Sequence, residues 1–218
     1  QLVEALPGGL KPASGSVVLA GEDVSGMTIR ELRKRGVSYI PEDRMRQGAA
    51  KEASIADNLL STRYASKEWN KAGFLRGRKI REWAENLIVD YKVKCAGQSQ
   101  EIGMLSGGNI QKVVVARECS TSPRLLVAEQ PTRGVDVGAA QFIHRKLLEM
   151  RGAGCAVILV SADLNEILEL SDSLLVMYGG EIAAYFERPS EISEEELGLY
   201  MLGLKRQPEE EVRRAFYH

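Results

Sequence analysis

The stretch Leu105-Ser106-Gly107-Gly108-Asn109-Ile110-Gln111-Lys112 gathers residues able to hold an anion. Two glycines follow a serine, and an apolar helical repeat (Ile110, Val113, Val114, Ala116) begins directly behind them. Glycine has no Cβ to keep a backbone away from a ligand. A helix starting there aims free N–H groups, and a partial positive charge of about half a unit, at whatever lies in front. Ser106 adds a hydroxyl donor, which completes the recipe for a phosphate cradle. The same residues also spell an ordinary serine-capped helix after a glycine turn, and on their own they favour that reading. A second polar cluster, Glu129-Gln130-Pro131-Thr132, ends the apolar run of residues 124–128, and Asp136 follows it.

The elements that position these residues are legible as alternating apolar strands and helices. Residues 1–6 read as a helix with Leu2, Val3 and Leu6 on one face, stopped by Pro7-Gly8-Gly9. A β-rich run at 16–19 turns at Gly21-Glu22-Asp23, a short helix covers 29–35, and Val37-Ser-Tyr-Ile40 is a strand. Ser54 is placed to cap a helix over 54–64. A Gly-, Lys- and Arg-rich loop is expected over 71–79, then a helix over 80–93. Asp136 caps a long helix with Ala140, Ile143, Leu147 and Leu148 inward, closed near Gly152. Residues 156–160 form a continuous apolar strand, and 173–177 with 181–186 form an antiparallel hairpin across Gly179-Gly180. The alternation predicts an α/β fold with a mostly parallel sheet covered on both faces. Beyond Pro189 the chain is acidic, then basic (Arg213, Arg214), and reads as a frayed helix.

Composition narrows the classes. At 218 residues, 44% hydrophobic and 27% charged, the chain fits one domain with room for an inserted lobe. A net charge of −1 gives no global field for nucleic acid or an anionic membrane. The basic cluster Lys71, Arg76, Arg78, Lys79 and Arg81 reads as a solvated helix entry rather than a nucleic-acid site. Cys95, Cys119 and Cys155 match no zinc or redox spacing. No apolar run reaches the ~20 residues a membrane span needs. His144 and His218 read as packing or surface residues.

In their order and spacing, residues 105–111 and Arg124-Leu-Leu-Val-Ala-Glu-Gln-Pro-Thr-Arg-Gly-Val-Asp136 resemble the ATP-binding cassette (ABC) family, from Gln1 to about Gly203. Tyr39-Ile-Pro-Glu-Asp-Arg44, Asn109 and Pro131-Thr-Arg-Gly-Val-Asp-Val-Gly-Ala139 make the chain similar to the second, C-terminal cassette of bacterial simple-sugar and nucleoside importers. The resemblance implies a P-loop NTPase core over 1–52 and 119–203, a helical signature lobe over 53–118 that docks on membrane subunits, and a tail over 204–218. It implies a signature formed by Ser106, Gly107, Gly108, Asn109 and Gln111, and a D-loop at Asp136. Glu42 stands at the Q-loop position, where the family has a glutamine; a plain surface loop explains Pro-Glu-Asp-Arg equally well. The strand and phosphate loop that precede the first helix in the family are expected to lie outside this chain, which contains no Gly-Lys pair.

The resemblance also shows what has been exchanged. The family places an aspartate on the magnesium shell and then a glutamate as general base; here Glu129 and Gln130 stand there. Glu129 keeps a weakened magnesium role, but the amide of Gln130 has no usable base near neutral pH. Ala162 replaces the switch histidine. These changes imply that this half does not turn over, while an intact Ser106-Gly107-Gly108 caps the ATP held by a partner cassette. The implied setting is the cytoplasmic face of the bacterial cell membrane, peripheral, with ATP and Mg2+ as cofactors. The implied partners are a second cassette, membrane permease subunits and, indirectly, a solute-binding protein, with no nucleic acid. The competing readings are a non-transport ABC ATPase of the translation or repair type, and a nucleotide-free structural adaptor. The first lacks the expected heptads or basic linkers; intact signature residues speak against the second. The run Ala139-Ala-Gln-Phe-Ile-His144 leans towards nucleosides over sugars.

Overall fold

A computed structural model describes residues 2–216, with the side chains of Leu2 and Phe216 left out; the expectations for Gln1 and His218 fall outside the described residues. The chain divides into two compact units, residues 1–160 and 161–218.

In the first unit, α1 (Leu2–Ala5) ends before Pro7, one residue short of Leu6. The strands β1 (Val18–Leu19) and β2 (Glu22–Asp23) pair antiparallel, so Glu22 and Asp23 belong to a strand and the turn is Ala20-Gly21. α2 (Ile29–Lys34) is fixed by a reciprocal cap: the Thr28 hydroxyl accepts from the Glu31 N–H, and the Glu31 carboxylate accepts from the Thr28 N–H. Leu32 of this helix packs with Val24 and Val37. The expected strand β3 (Val37–Ile40) is present in full. α3 (Ile55–Leu60) is capped by Ser54, whose hydroxyl accepts from the Asp57 N–H. It stops at Leu60 rather than 64 and continues as turns.

The loop expected over 71–79 contains a hairpin, β4 (Asn70–Lys71) and β5 (Phe74–Leu75). Its two-residue turn, Ala72-Gly73, has positive φ at both positions (53° and 90°), the geometry that matches strand twist. Alternation over two-residue strands is too short to read from sequence. α4 (Gly77–Asp90) therefore begins and ends three residues earlier than predicted, burying Ile80, Ala84 and Leu87.

α5 (Gly107–Cys119) is buried nearly all round. β6 (Leu125–Glu129) lies between β3 and β7 (Ala156–Val160) in a three-stranded parallel sheet, with Val37 opposite Leu125 and Leu125 opposite Ala156. α6 (Val137–Gly152) connects β6 to β7. It buries Ala139, Phe142, Ile143 and Leu147; Ala140 and Leu148, expected inward, are half-buried. The left-handed residue after it is Gly154 (φ 88°), not Gly152. β7 was expected to be covered on both faces, yet Ile158 is 37% exposed. Among the described residues β7 pairs only with β6, so its apolar sequence sits on a sheet edge.

In the second unit, α7 (Leu164–Leu170) is followed by the predicted antiparallel hairpin, β8 (Leu174–Tyr178) and β9 (Glu181–Phe186), with an irregularity between Val176 and Met177. α8 (Glu194–Met201) closes a small core of Val176, Ala184, Leu197 and Tyr200, in which Phe186 meets Tyr200 edge-on at 5.5 Å. α9 (Glu209–Val212) and a 3-10 turn over Arg213–Phe216 make up the helical tail.

Candidate functional site

The amino end of α5 is held open by its neighbours. Gly107, Gly108 and Asn109 supply the first N–H groups of the helix, and none of these donates to an acceptor among the described residues. Ser106 takes the N-cap backbone conformation (φ −64°, ψ 155°), but its hydroxyl does not cap the helix. It accepts instead from the Asn109 Nδ2 at 2.8 Å, so its own O–H remains able to donate. Asn109 is fixed from the other side, its Oδ1 accepting from the Lys94 N–H at 2.9 Å. The expected serine cap is thus replaced by an asparagine bracket that orients the serine outward. Three N–H groups, one hydroxyl and the positive end of a 13-residue helix form an anion cradle.

Close packing explains both glycines. A Cβ on Gly107 would meet the Arg44 Nη2 at 2.8 Å; one on Gly108 would meet the Asp136 Oδ2 at 2.9 Å and the Ala139 Cβ at 3.1 Å. Asp136 accepts from the Ala139 N–H through Oδ1, capping α6 while its other oxygen lies beside Gly108. Asp136 and Gly108 are therefore close neighbours. Sequence reasoning assigned no role to Arg44, yet its guanidinium clasps two backbone carbonyls, Arg133 O at 2.6 Å and Gly134 O at 3.1 Å. Glu42, on the same loop, forms an ion pair with Arg133. The pattern Pro-Glu-Asp-Arg hinted at this loop, but nothing local tells which carbonyls an arginine will reach 90 residues away.

Gln111 lies apart from its neighbours in this stretch. Expected among the nucleotide contacts, it is 2% exposed, and its Nε2 donates to the Pro131 carbonyl at 2.8 Å. It ties α5 to the turn after β6 rather than facing a ligand, because one helical turn carries position 111 to the inner side.

The far end of α5 is anchored by a buried ionic cluster. The Glu118 carboxylate is buried and accepts from Arg33 Nη1 and Arg117 Nε, each at 2.8 Å, and from the Tyr39 N–H at 3.3 Å. Burial alone would raise its pKa; the Arg117 and Arg33 charges and hydrogen bonds outweigh that and hold it below the ordinary value of 4.5. Beside it, burial and the Glu118 charge push the Cys119 thiol up to about 12, so this cysteine is an inert core residue.

At the carboxyl end of β6, the Glu129 Oε2 accepts from the Tyr39 hydroxyl at 2.5 Å. Burial first, and then this bond, push the Tyr39 pKa upward, so the phenol stays a donor. That bond occupies one of about four lone-pair positions of the Glu129 carboxylate. Magnesium wants a near-octahedral oxygen shell, and among the described residues no group of acidic or histidine side chains surrounds this position. The residues present do not make a metal site by themselves. Gln130 follows with φ 47°, a left-handed conformation that costs a non-glycine residue about 1–2 kcal/mol, and its N–H donates to the Val160 carbonyl at 2.7 Å. Ala162 is exposed and lies in the second unit, just after β7. His144 is half-buried within α6, in keeping with a packing role.

The profile of the ABC transporter family matches residues 1–133. The chain is 40% identical over 203 residues to the guanosine import ATP-binding protein NupO of Bacillus subtilis (strain 168), covering 93% of this chain and 40% of that protein. It is 38% identical to the nucleoside import ATP-binding protein NupA of Lactococcus lactis subsp. cremoris, with 93% and 40% covered. It is 34% identical to the ribose import ATP-binding protein RbsA of Jannaschia sp., with 94% and 39% covered. The chain thus spans about two fifths of the length of these relatives. Its fold is that of an ADP-bound, dimeric post-hydrolysis ATP-binding cassette (TM-score 0.72, 18% identity, 86% of this chain and 79% of that one) and of a cassette in its ADP conformation (0.71, 24%, 93% and 82%). A chain with this sheet, this glycine-led helix and these relatives belongs to the ABC transporter family.

Proposed function

We propose that this chain is the nucleotide-binding domain of an ATP-driven importer of simple sugars or nucleosides, and that it supplies Ser106, Gly107 and Gly108 to an ATP molecule held by a second cassette. The observation that carries the proposal is the set of unspent donors at the head of α5, held open by Arg44, Asp136 and Asn109. Such donors fit a phosphate brought from outside. The named relatives import guanosine, nucleosides and ribose, which supports the import reading and keeps nucleosides ahead of sugars.

The second part of the proposal is that this chain's own hydrolytic half is silent. Gln130 cannot accept a proton from water near neutral pH, Glu129 already receives the Tyr39 hydroxyl, and Ala162 offers no side-chain hydrogen bond. ATP and Mg2+ then turn over at the partner's half. The partners are the second cassette, membrane permease subunits at the cytoplasmic face of the membrane and, through them, a solute-binding protein. Glu42 at the Q-loop position, paired with Arg133, links the signature side of the site to the loop after β6.

Steady-state ATPase of the full-length protein tests both parts. Gly107→Asp places a carboxylate before the partner's γ-phosphate and abolishes most turnover, whereas Gln130→Ala leaves it nearly unchanged. The reverse result, an ATPase silenced by Gln130→Ala and spared by Gly107→Asp, inverts the assignment of active and silent halves.

A further inference from the structure

The hairpin β4–β5 is the most exposed apolar projection of the first unit. Phe74 is 80% exposed and Leu75 51%, and Tyr64 beside the segment is 59% exposed. Every residue from 71 to 79 lies open to solvent. An isolated two-stranded ribbon is marginal in water, so this one needs a foot, and the structure supplies it. Trp69 is buried against Leu60 and Ile80, its ring 4.7 Å from that of Trp83, with the Arg63 guanidinium 5.5 Å from both rings and the Lys79 ammonium 4.8 Å from Trp69. The Arg76 N–H closes the ribbon onto the Trp69 carbonyl at 2.9 Å.

Between residues 63 and 81 the chain carries seven basic side chains and one acidic one, although the whole protein has a net charge of −1. Glu68 neutralises Arg63 and Lys79, and Glu82 takes Arg78. Lys67, Lys71, Arg76 and Arg81 have no ion-pair partner among the described residues. Fields fade over about 8 Å at physiological salt, so a surface feels this patch and not the chain's overall charge.

We propose that the β4–β5 hairpin and its cationic flank form a contact for the anionic lipid headgroups of a bilayer, with Phe74 and Leu75 entering the interfacial layer. Aromatic and apolar side chains ringed by lysine and arginine are what such an interface attracts. Single-stranded nucleic acid would also answer to the charge. It binds through successive stacking platforms, whereas here the tip couples one aromatic ring to an aliphatic leucine that suits acyl chains. The contact is independent of which nucleotide half is active.

The test is flotation of the full-length protein with vesicles of phosphatidylcholine alone or mixed with phosphatidylglycerol, run beside a single-stranded oligonucleotide binding assay. The two tryptophans of this chain, Trp69 and Trp83, stand at the foot of the hairpin, so the hairpin-dependent part of the quenching by spin-labelled lipid reports its approach to the bilayer. The anionic vesicles should retain more than roughly fivefold as much protein as neutral ones, with binding stripped by salt. Lys71→Glu with Arg76→Glu should lower retention by more than roughly tenfold. Phe74→Ser with Leu75→Ser should lower retention and quenching together, and the distant Lys34→Glu should change neither. All substituted side chains are exposed, so the fold survives them. No preference for anionic vesicles, retention indifferent to the hairpin variants, or hairpin-dependent binding of the oligonucleotide alone would each overturn the proposal.

Discussion

The amino end of α5 and the carboxyl end of β6 are both polar ends of buried elements, and they are tied together by Gln111 and Pro131. They have been put to opposite uses. At α5 the donors are left unspent: three N–H groups and the Ser106 hydroxyl have no acceptor among the described residues. At β6 the groups are spent. Glu129 receives a tyrosine hydroxyl, and Gln130 uses its N–H on Val160 from a left-handed backbone. Binding a phosphate needs donors that await a ligand; activating water needs a free base. On the proposed function, the fold keeps the first capacity where the second is absent, and the two would be separable within one domain.

The largest test strikes the scaffold that both ends share. Glu118→Ala leaves Arg117 and Arg33 without their buried partner and should cost about 3–5 kcal/mol in a urea titration. The same carboxylate sets an acid limit. Its folded pKa lies below the ordinary 4.5, so its contribution is fully present above that value and fades as pH falls through the lowered folded pKa. The wild type should therefore lose stability on acidification below about pH 4.5 more steeply than Glu118→Gln does.

Next in size, Gly107→Asp should lower ATP turnover of the full-length protein by about 10²–10³-fold, with a smaller loss of stability, since its Cβ displaces only the flexible end of Arg44. Gly108→Ala separates the two roles of this glycine pair. Its Cβ meets Asp136 and Ala139, so a melting experiment should show about 1–3 kcal/mol of destabilisation. An unchanged melting curve would mean that Gly108 serves only the ligand side. The smallest effect is expected at β6: Gln130→Glu should leave steady-state turnover unchanged even where the partner's own base has been removed, because a base without an oriented water does nothing. Substantial turnover from that single change would erase the contrast between the two ends.

The sequence alone determined the elements and the family resemblance. β3 and β7 fall where their apolar runs place them, and α6 begins behind Asp136 as its cap requires. Such signals act within about four residues, through side-chain periodicity and side chain-to-backbone bonds, so they survive without tertiary knowledge. The glycine pair was legible for the same reason, being carried by residue types at short spacing, whereas the Glu129-Gln130 exchange is implied only by the family resemblance. The β4–β5 hairpin escaped because two-residue strands hold no period.

Only the tertiary structure decided how the site is built. It turned Gln111 inward, set Tyr39 against Glu129, brought Arg44 onto the carbonyls of Arg133 and Gly134, and gave Ser106 to Asn109 instead of to the helix. Most of these contacts join residues 20 to 90 positions apart. Their existence depends on which face of one element packs on which face of another, and that is settled by burying all the apolar surfaces at once. No local pattern carries that information, so the glycine-led helix could be recognised in the sequence but its supports could not.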